Sequence, residues 1–151
     1  MSMFHGMNIS ASALTSQRLR MDVVSSNMAN ADSTRGRLVD GEWEPYRRKM
    51  VTMEPNQAGG FKNYLHKAMG ASEDIGKGVK VGNIIEDQSP FRQAYQPDHP
   101  DANEDGYVEL PNVDPLKEMI DLMSTTRSYE ANVTTLDAQK NMLLKALEIG
   151  R

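Results

Sequence analysis

The segment Asp101-Ala102-Asn103-Glu104-Asp105-Gly106 has the composition of the first half of a calcium loop, with oxygen ligands at alternate positions and a glycine at the turn. Its second half departs from that pattern. The twelfth position, which should supply a bidentate glutamate, is Asn112, and Pro97 and Pro100 stand where an entering helix would run. An acidic, solvent-exposed turn accounts for the same residues, and no metal or cofactor is expected. The histidines His5, His66 and His99 fall in different regions with no i,i+4 pair, so spacing assembles no zinc site. No G-x-S-x-G elbow prepares a serine, and the absence of cysteine removes thiolate chemistry and disulfides together. Gly76-Lys77-Gly78 with Gly82 lacks phosphate-loop and dinucleotide spacing and reads as a turn before a strand. No catalytic residue is expected, and the reading is that the chain is not an enzyme.

The one basic cluster is Tyr46-Arg47-Arg48-Lys49. On a strand its alternate residues point to opposite faces, which suits a guard on a sheet edge or an inter-subunit ion pair. With a net charge of -4 and no strongly basic face, the chain lacks the clustered cations that nucleic-acid binding requires. The 1–17 stretch has no basic leader and no long apolar core, and nowhere do 18 apolar residues run together. Neither a cleaved secretory signal nor direct membrane insertion is expected.

The elements that must carry these residues have little to bury. Leu, Ile, Val and Phe supply 29 of 151 residues, at the edge of what offsets chain entropy, while 11 methionines add adaptable apolar surface. Folding that is completed on assembly fits both counts.

Along the N-terminal region Met7, Ala11, Leu14, Met21, Val24 and Met28 form a stripe, with Met7, Leu14, Met21 and Met28 seven apart. A helix there needs a partner, because serines and threonines surround the stripe and Arg18 breaks it. At the other end Asp114 is an N-cap candidate with Pro115 at the first helical position. Met119, Leu122, Tyr129, Val133, Leu136, Leu143 and Leu147 then mark some 35 residues of amphipathic helix, stopped by Gly150. These stripes are candidate assembly interfaces; the alternative is an internal two-helix core within one chain.

Between the stripes, short β runs are expected at 47–53, 79–87, 91–96 and 107–110, punctuated by glycines and prolines. A short helix is expected near 64–69, inside a flexible insertion at 54–77. The fold class is therefore α+β, with long N- and C-terminal helices forming a coiled-coil, two-helix layer, and with a small, mostly β central module. The expected regions are an N-terminal assembly helix at 1–34, the central module at 35–113 and a C-terminal assembly helix at 114–151.

At Asn27-Met28-Ala29-Asn30-Ala31-Asp32-Ser33-Thr34 the first stripe ends in a run that resembles the N-terminal signature of the flagellar rod and hook family, carried by Asn27, Ala29, Asn30 and Thr34. Pro45-Tyr46-Arg47-Arg48-Lys49, Gly78-Val79-Lys80-Val81, His99-Pro100-Asp101-Ala102, Gly106-Tyr107-Val108, Pro111-Asn112-Val113 and Arg127-Ser128-Tyr129-Glu130-Ala131-Asn132 extend the resemblance, in its proximal-rod branch, over essentially the whole chain. The stretch 54–73 departs from it, being longer than the family's usual connection.

The resemblance implies a structural subunit of the basal body, spanning the periplasm, with terminal helices pairing in the wall of a tubular rod. It implies export by the flagellar type III apparatus without a cleaved leader. The partners it implies are other rod proteins, copies of the same chain, the membrane ring and the distal rod. Asn27, Asn30 and Thr34 are expected to cap the first helix. Other readings remain open at this point: another axial rod or hook component, a soluble coiled-coil adaptor, or a calcium-binding module.

Overall fold

The computed structural model describes residues 4–39, 41–56, 68 and 77–149. Two long helices precede and follow, in chain order, three two-stranded ribbons. The first helix, α1, is Phe4–Ala29 and the last, α2, is Pro115–Ile149. Between them run β1 (Arg37–Val39), β2 (Glu42–Glu44), β3 (Lys49–Pro55), β4 (Val79–Glu86), β5 (Arg92–Tyr95) and β6 (Tyr107–Leu110). This is the α+β arrangement the sequence predicts. The short helix and most of the insertion expected within 54–77 lie outside the described residues.

Each boundary has a local cause. Asp114 caps α2: its Oδ1 accepts from the Leu116 amide at 3.1 Å, and its carbonyl from the Glu118 amide at 3.0 Å. Pro115 opens the helix at no cost in hydrogen bonds. At the other boundary Asn30 ends α1, with its amide at 3.1 Å and its Nδ2 at 2.8 Å both donating to the Ser26 carbonyl. The β1–β2 ribbon is a hairpin that the expected strand set left out. Gly41 takes φ 94° just before β2, and the register pairs Leu38 with Trp43. The run expected from residue 47 begins pairing only at Lys49, because the Arg48 amide instead donates to Asn112 Oδ1 at 2.8 Å.

The chain divides into two compact units. One comprises Met1–Leu19, Met53–Gly82 and Thr126–Arg151. In it, β4 enters against α1: the Val79 amide donates to Ser12 Oγ at 3.1 Å while Ser12 donates to the Ile9 carbonyl at 2.7 Å. Gly78 makes the approach with φ 74°, and a Cβ there would sit 2.5 Å from Ser12 Oγ. The side chain of Gln139 on α2 closes over Gly6 of α1. The other unit comprises Arg20–Thr52 and Asn83–Thr125. There the C-terminal end of α1 meets the N-terminal end of α2 through Arg20 with Asp121 and Asn27 with Glu118.

The buried apolar set among the described residues is Val24, Ala31, Val108 and Val113, with Pro45 and Pro111. Ser10, Ser16, Asn27, Glu118 and Thr125 are also buried. So thin an apolar core leaves the chain close to the limit at which burial offsets ordering.

Candidate assembly surface

Two of the buried polar residues, Asn27 and Glu118, belong to a joint where three chain segments meet. Glu118, fully buried at 0% exposure, accepts from Arg48 Nε on Oε1 at 2.6 Å and from Asn27 Nδ2 on Oε2 at 3.0 Å. Asn27 uses the rest of its amide to read one residue of backbone. Its Nδ2 donates to the Lys49 carbonyl at 2.8 Å, and its Oδ1 accepts from the Lys49 amide at 2.9 Å and the Tyr46 hydroxyl at 3.0 Å. Both oxygens of this buried carboxylate are therefore paired, which is what a buried charge requires.

Arg48 is shared. It also lies 3.6 Å from Asp87, and Asn112 Nδ2 fixes the same corner by donating to the Asp87 carbonyl at 3.0 Å. Burial works against the Arg48 charge, but the hydrogen bond and charge of Glu118, followed by those of Asp87, hold the guanidinium above its ordinary value. The Asp87 carboxyl is held below the usual range chiefly by the Ser89 hydroxyl, with its backbone amide next. The depression of about 330 Å³ at this corner is lined by Arg48, Asp87, Ser89, Arg92, Asn112 and Lys117 among others. Ser89 spends its proton on Asp87 at 2.6 Å in a local turn, and no imidazole lines the depression.

The basic cluster makes contacts within the chain. Arg48 turns inward to Glu118, Arg47 lies over the Phe91 ring at 4.3 Å, and Lys49 over the Tyr46 ring at 5.6 Å.

The acidic turn is likewise committed to the protein's own side chains. Asp101 accepts from Thr34 Oγ1 at 2.8 Å and from Arg35 Nε at 2.9 Å, which hold its carboxyl below the ordinary value, Arg35 contributing most. Asn103 Oδ1 closes the turn by accepting from the amides of Asp105 and Tyr107. His99 Nδ1 accepts from the Asp101 amide at 3.1 Å. Among the described residues no group of three or more ligand-type side chains is placed to hold a metal ion.

Of the signature residues expected to cap α1, Asn30 does contact its last turn, whereas Asn27 reaches sideways to Lys49 and Glu118, and Thr34 to Asp101. Ala29 is exposed at the helix end.

The stripes divide by exposure. On α2 the covered positions include Glu118, Leu122, Thr125, Tyr129, Asn132, Leu136, Gln139 and Leu143, alternating four and three apart, with Asp121 and Ser128 half-buried beside them. One line of this heptad is apolar and the other polar. Met119, Val133 and Leu147, expected on the same stripe, are exposed, together with Leu116, Ile120, Met123, Met142, Leu144 and Ile149. On α1, Val24 is buried, Met7, Leu14, Met21 and Met28 are half-buried, and Ala11 is exposed. Sequence reasoning missed Arg48 and Glu118 as a pair, and Ser12 and Ser16 as the residues that receive β4. No local signal marks a contact between residues seventy apart. Among the described residues no helix is long and apolar enough to cross a membrane.

Two family profiles match this chain: flagella basal body rod protein over residues 7–36, and flagellar basal body rod FlgEFG protein C-terminal over residues 104–149. Among curated proteins, it is 60% identical to the flagellar basal-body rod protein FlgC of Bacillus subtilis, over 100% of both chains. It is 43% identical to the FlgC protein of Escherichia coli O157:H7, again over 100% of both, and 39% identical to that of Borreliella burgdorferi over 99% of this chain and 98% of the relative.

Proposed function

This chain belongs to the FlgC family of flagellar basal-body rod proteins and is a structural subunit of the basal-body rod, and from that premise we propose that it assembles by burying the open faces of its two terminal helices on neighbouring subunits. The observation that supports this reading is the imbalance on α2. Among the described residues nine large apolar side chains are exposed along it, while the buried positions on the same helix are Glu118 and Thr125. Removing on the order of 100 Å² of apolar surface at one such residue stabilises by about 2.5 kcal/mol at about 25 cal/mol per Å². Association costs roughly 4–15 kcal/mol before any gain appears, so several residues must be covered together. An extended helix contacting more than one neighbour meets that requirement.

The chain interacts with other components of the basal-body rod. In our reading these include copies of itself and neighbours towards the membrane ring and the distal rod, in the proximal segment. The family motifs also support export by the flagellar type III apparatus. Catalysis has no place in this mechanism: Asn27, Arg48 and Glu118 hold the helix ends together and the apolar faces supply the driving force.

The test is to place a charge on the exposed face. Ile120→Asp and Leu144→Asp in the full chain should abolish recovery of the protein in isolated basal bodies, and motility with it, while leaving the purified chain's thermal stability unchanged. Normal incorporation of both variants would refute this mode of assembly.

A further inference from the structure

Two apolar features lie open within one compact unit. Leu38 and Trp43 face each other across the β1–β2 hairpin and are 56% and 57% exposed. Directly opposed residues project from the same face of a ribbon, so together they form an apolar knob. Trp43, the chain's single tryptophan, makes no ring contact among the described residues. The exposed Tyr95–Tyr107 pair differs: its rings pack edge to face with centroids 5.3 Å apart.

The second feature is at the start of α2. Leu116, Met119, Ile120 and Met123 follow i, i+3, i+4, i+7 spacing and are all exposed. They make a stripe two turns long, about 12 Å at about 1.5 Å per residue. The same face then continues with exposed Arg127, Glu130 and Thr134. That length selects what covers it. A helix laid along α2 would need apolar positions over further turns, whereas a two-residue knob fits within two.

We propose that the Leu38–Trp43 knob of one copy seats on the Leu116–Met123 stripe of the next copy. This deepens the assembly reading above and rests on it. Met119 and Met123 give the seat flexible thioether side chains that adapt to an indole and make sulfur–aromatic contacts with it. The knob presents roughly 200 Å² and the stripe roughly 400 Å², so one contact falls below the ~1,200 Å² at which specific interfaces stand alone. Two free copies therefore do not stay paired. In an assembly each copy uses both patches, one as knob and one as seat, which doubles its buried area. Since knob and seat are different surfaces, the contact is heterologous and propagates head to tail, which a tubular structure needs and a two-fold dimer does not provide.

The cysteine-free chain makes a disulfide test clean. Leu38→Cys/Ile120→Cys, which keeps Trp43 and both methionines, should give a ladder of covalent multimers of this chain when basal bodies isolated from cells are mildly oxidised. Each single variant should remain uncrosslinked. Dimers from Leu38→Cys alone would indicate a two-fold contact and overturn the proposal, as would a link from the thiol introduced at position 120 to a different protein, or no link at all. As a second measure, Trp43→Ala should lower recovery in basal bodies at least five-fold and Trp43→Phe should restore most of it; equal recovery of wild type and both variants would also overturn it. Absence of the wild-type chain from the basal bodies would refute the assembly reading itself, an outcome distinct from wild-type incorporation without the crosslink.

Discussion

Asn27→Asp changes the chemistry of one side-chain atom at the joint and almost nothing in its shape. Asn27 is 1% exposed, and its Nδ2 lies 3.0 Å from Glu118 Oε2. A carboxylate there replaces a donated hydrogen bond by two like charges in contact. It also leaves the Lys49 carbonyl, now bonded at 2.8 Å, without that donor. The Lys49 amide and Tyr46 hydroxyl still favour the carboxylate, so repulsion by Glu118 is partly offset.

We take a net rise of about 2 pKa units for the new group, worth ~2.7 kcal/mol at about 1.36 kcal/mol per unit, and add ~1 kcal/mol for the lost donor. The variant should thus be about 3–4 kcal/mol less stable than wild type at neutral pH. The sign with pH follows from the raised folded-state value. The protonated form is favoured in the folded chain and can donate to Glu118, so the deficit is present at neutral pH and shrinks as pH falls through the raised value. Urea titrations of the purified full chain followed by far-UV circular dichroism, at about pH 7.5 and about pH 4.5, measure both quantities. A deficit under about 0.5 kcal/mol at the higher pH, or one that does not change with pH, would refute the role assigned to Asn27.

Gly78→Ala should cost roughly 1–3 kcal/mol, from a positive φ of 74° and a Cβ meeting Ser12 Oγ; Ser12→Ala in the same chain should recover part of the loss in the same urea titration. Asp114→Ala should cost about 1 kcal/mol by removing the cap of α2, seen as a lower melting temperature. The tie from Asp101 to Thr34 and Arg35 involves a carboxyl held below its ordinary 3.8. Its contribution is complete above that ordinary value and lost as pH falls through the lowered one. Amide exchange in the 99–106 turn should accelerate between about pH 5 and about pH 2.5 in wild type, beyond the intrinsic change, and much less in Asp101→Asn.

The start of α2 was legible because a capping aspartate and a proline at the first helical position act within one turn. The pairing segments β4 and β6 also followed from local composition. The β1–β2 hairpin has a turn signal in the sequence Asp40-Gly41 that the expected strand set did not use. The joint of Asn27, Arg48 and Glu118 was not legible, since Glu118 stands 70 and 91 residues from its two partners and each is locally an ordinary polar residue.

Periodicity also could not say which side of a stripe faces inward. In a subunit that assembles, apolar residues mark contacts with neighbours as well as with its own chain. On α2 the inner line is half polar, and Met119, Val133 and Leu147 look outward.

The central claim is that these outward residues are covered only in the assembly. Maleimide labelling of Met119→Cys and Leu144→Cys, each in the otherwise cysteine-free chain, compares the purified protein with isolated basal bodies. Both sites should label rapidly in the free chain and at least ten-fold more slowly in the basal body; equal rates in the two states would contradict the account.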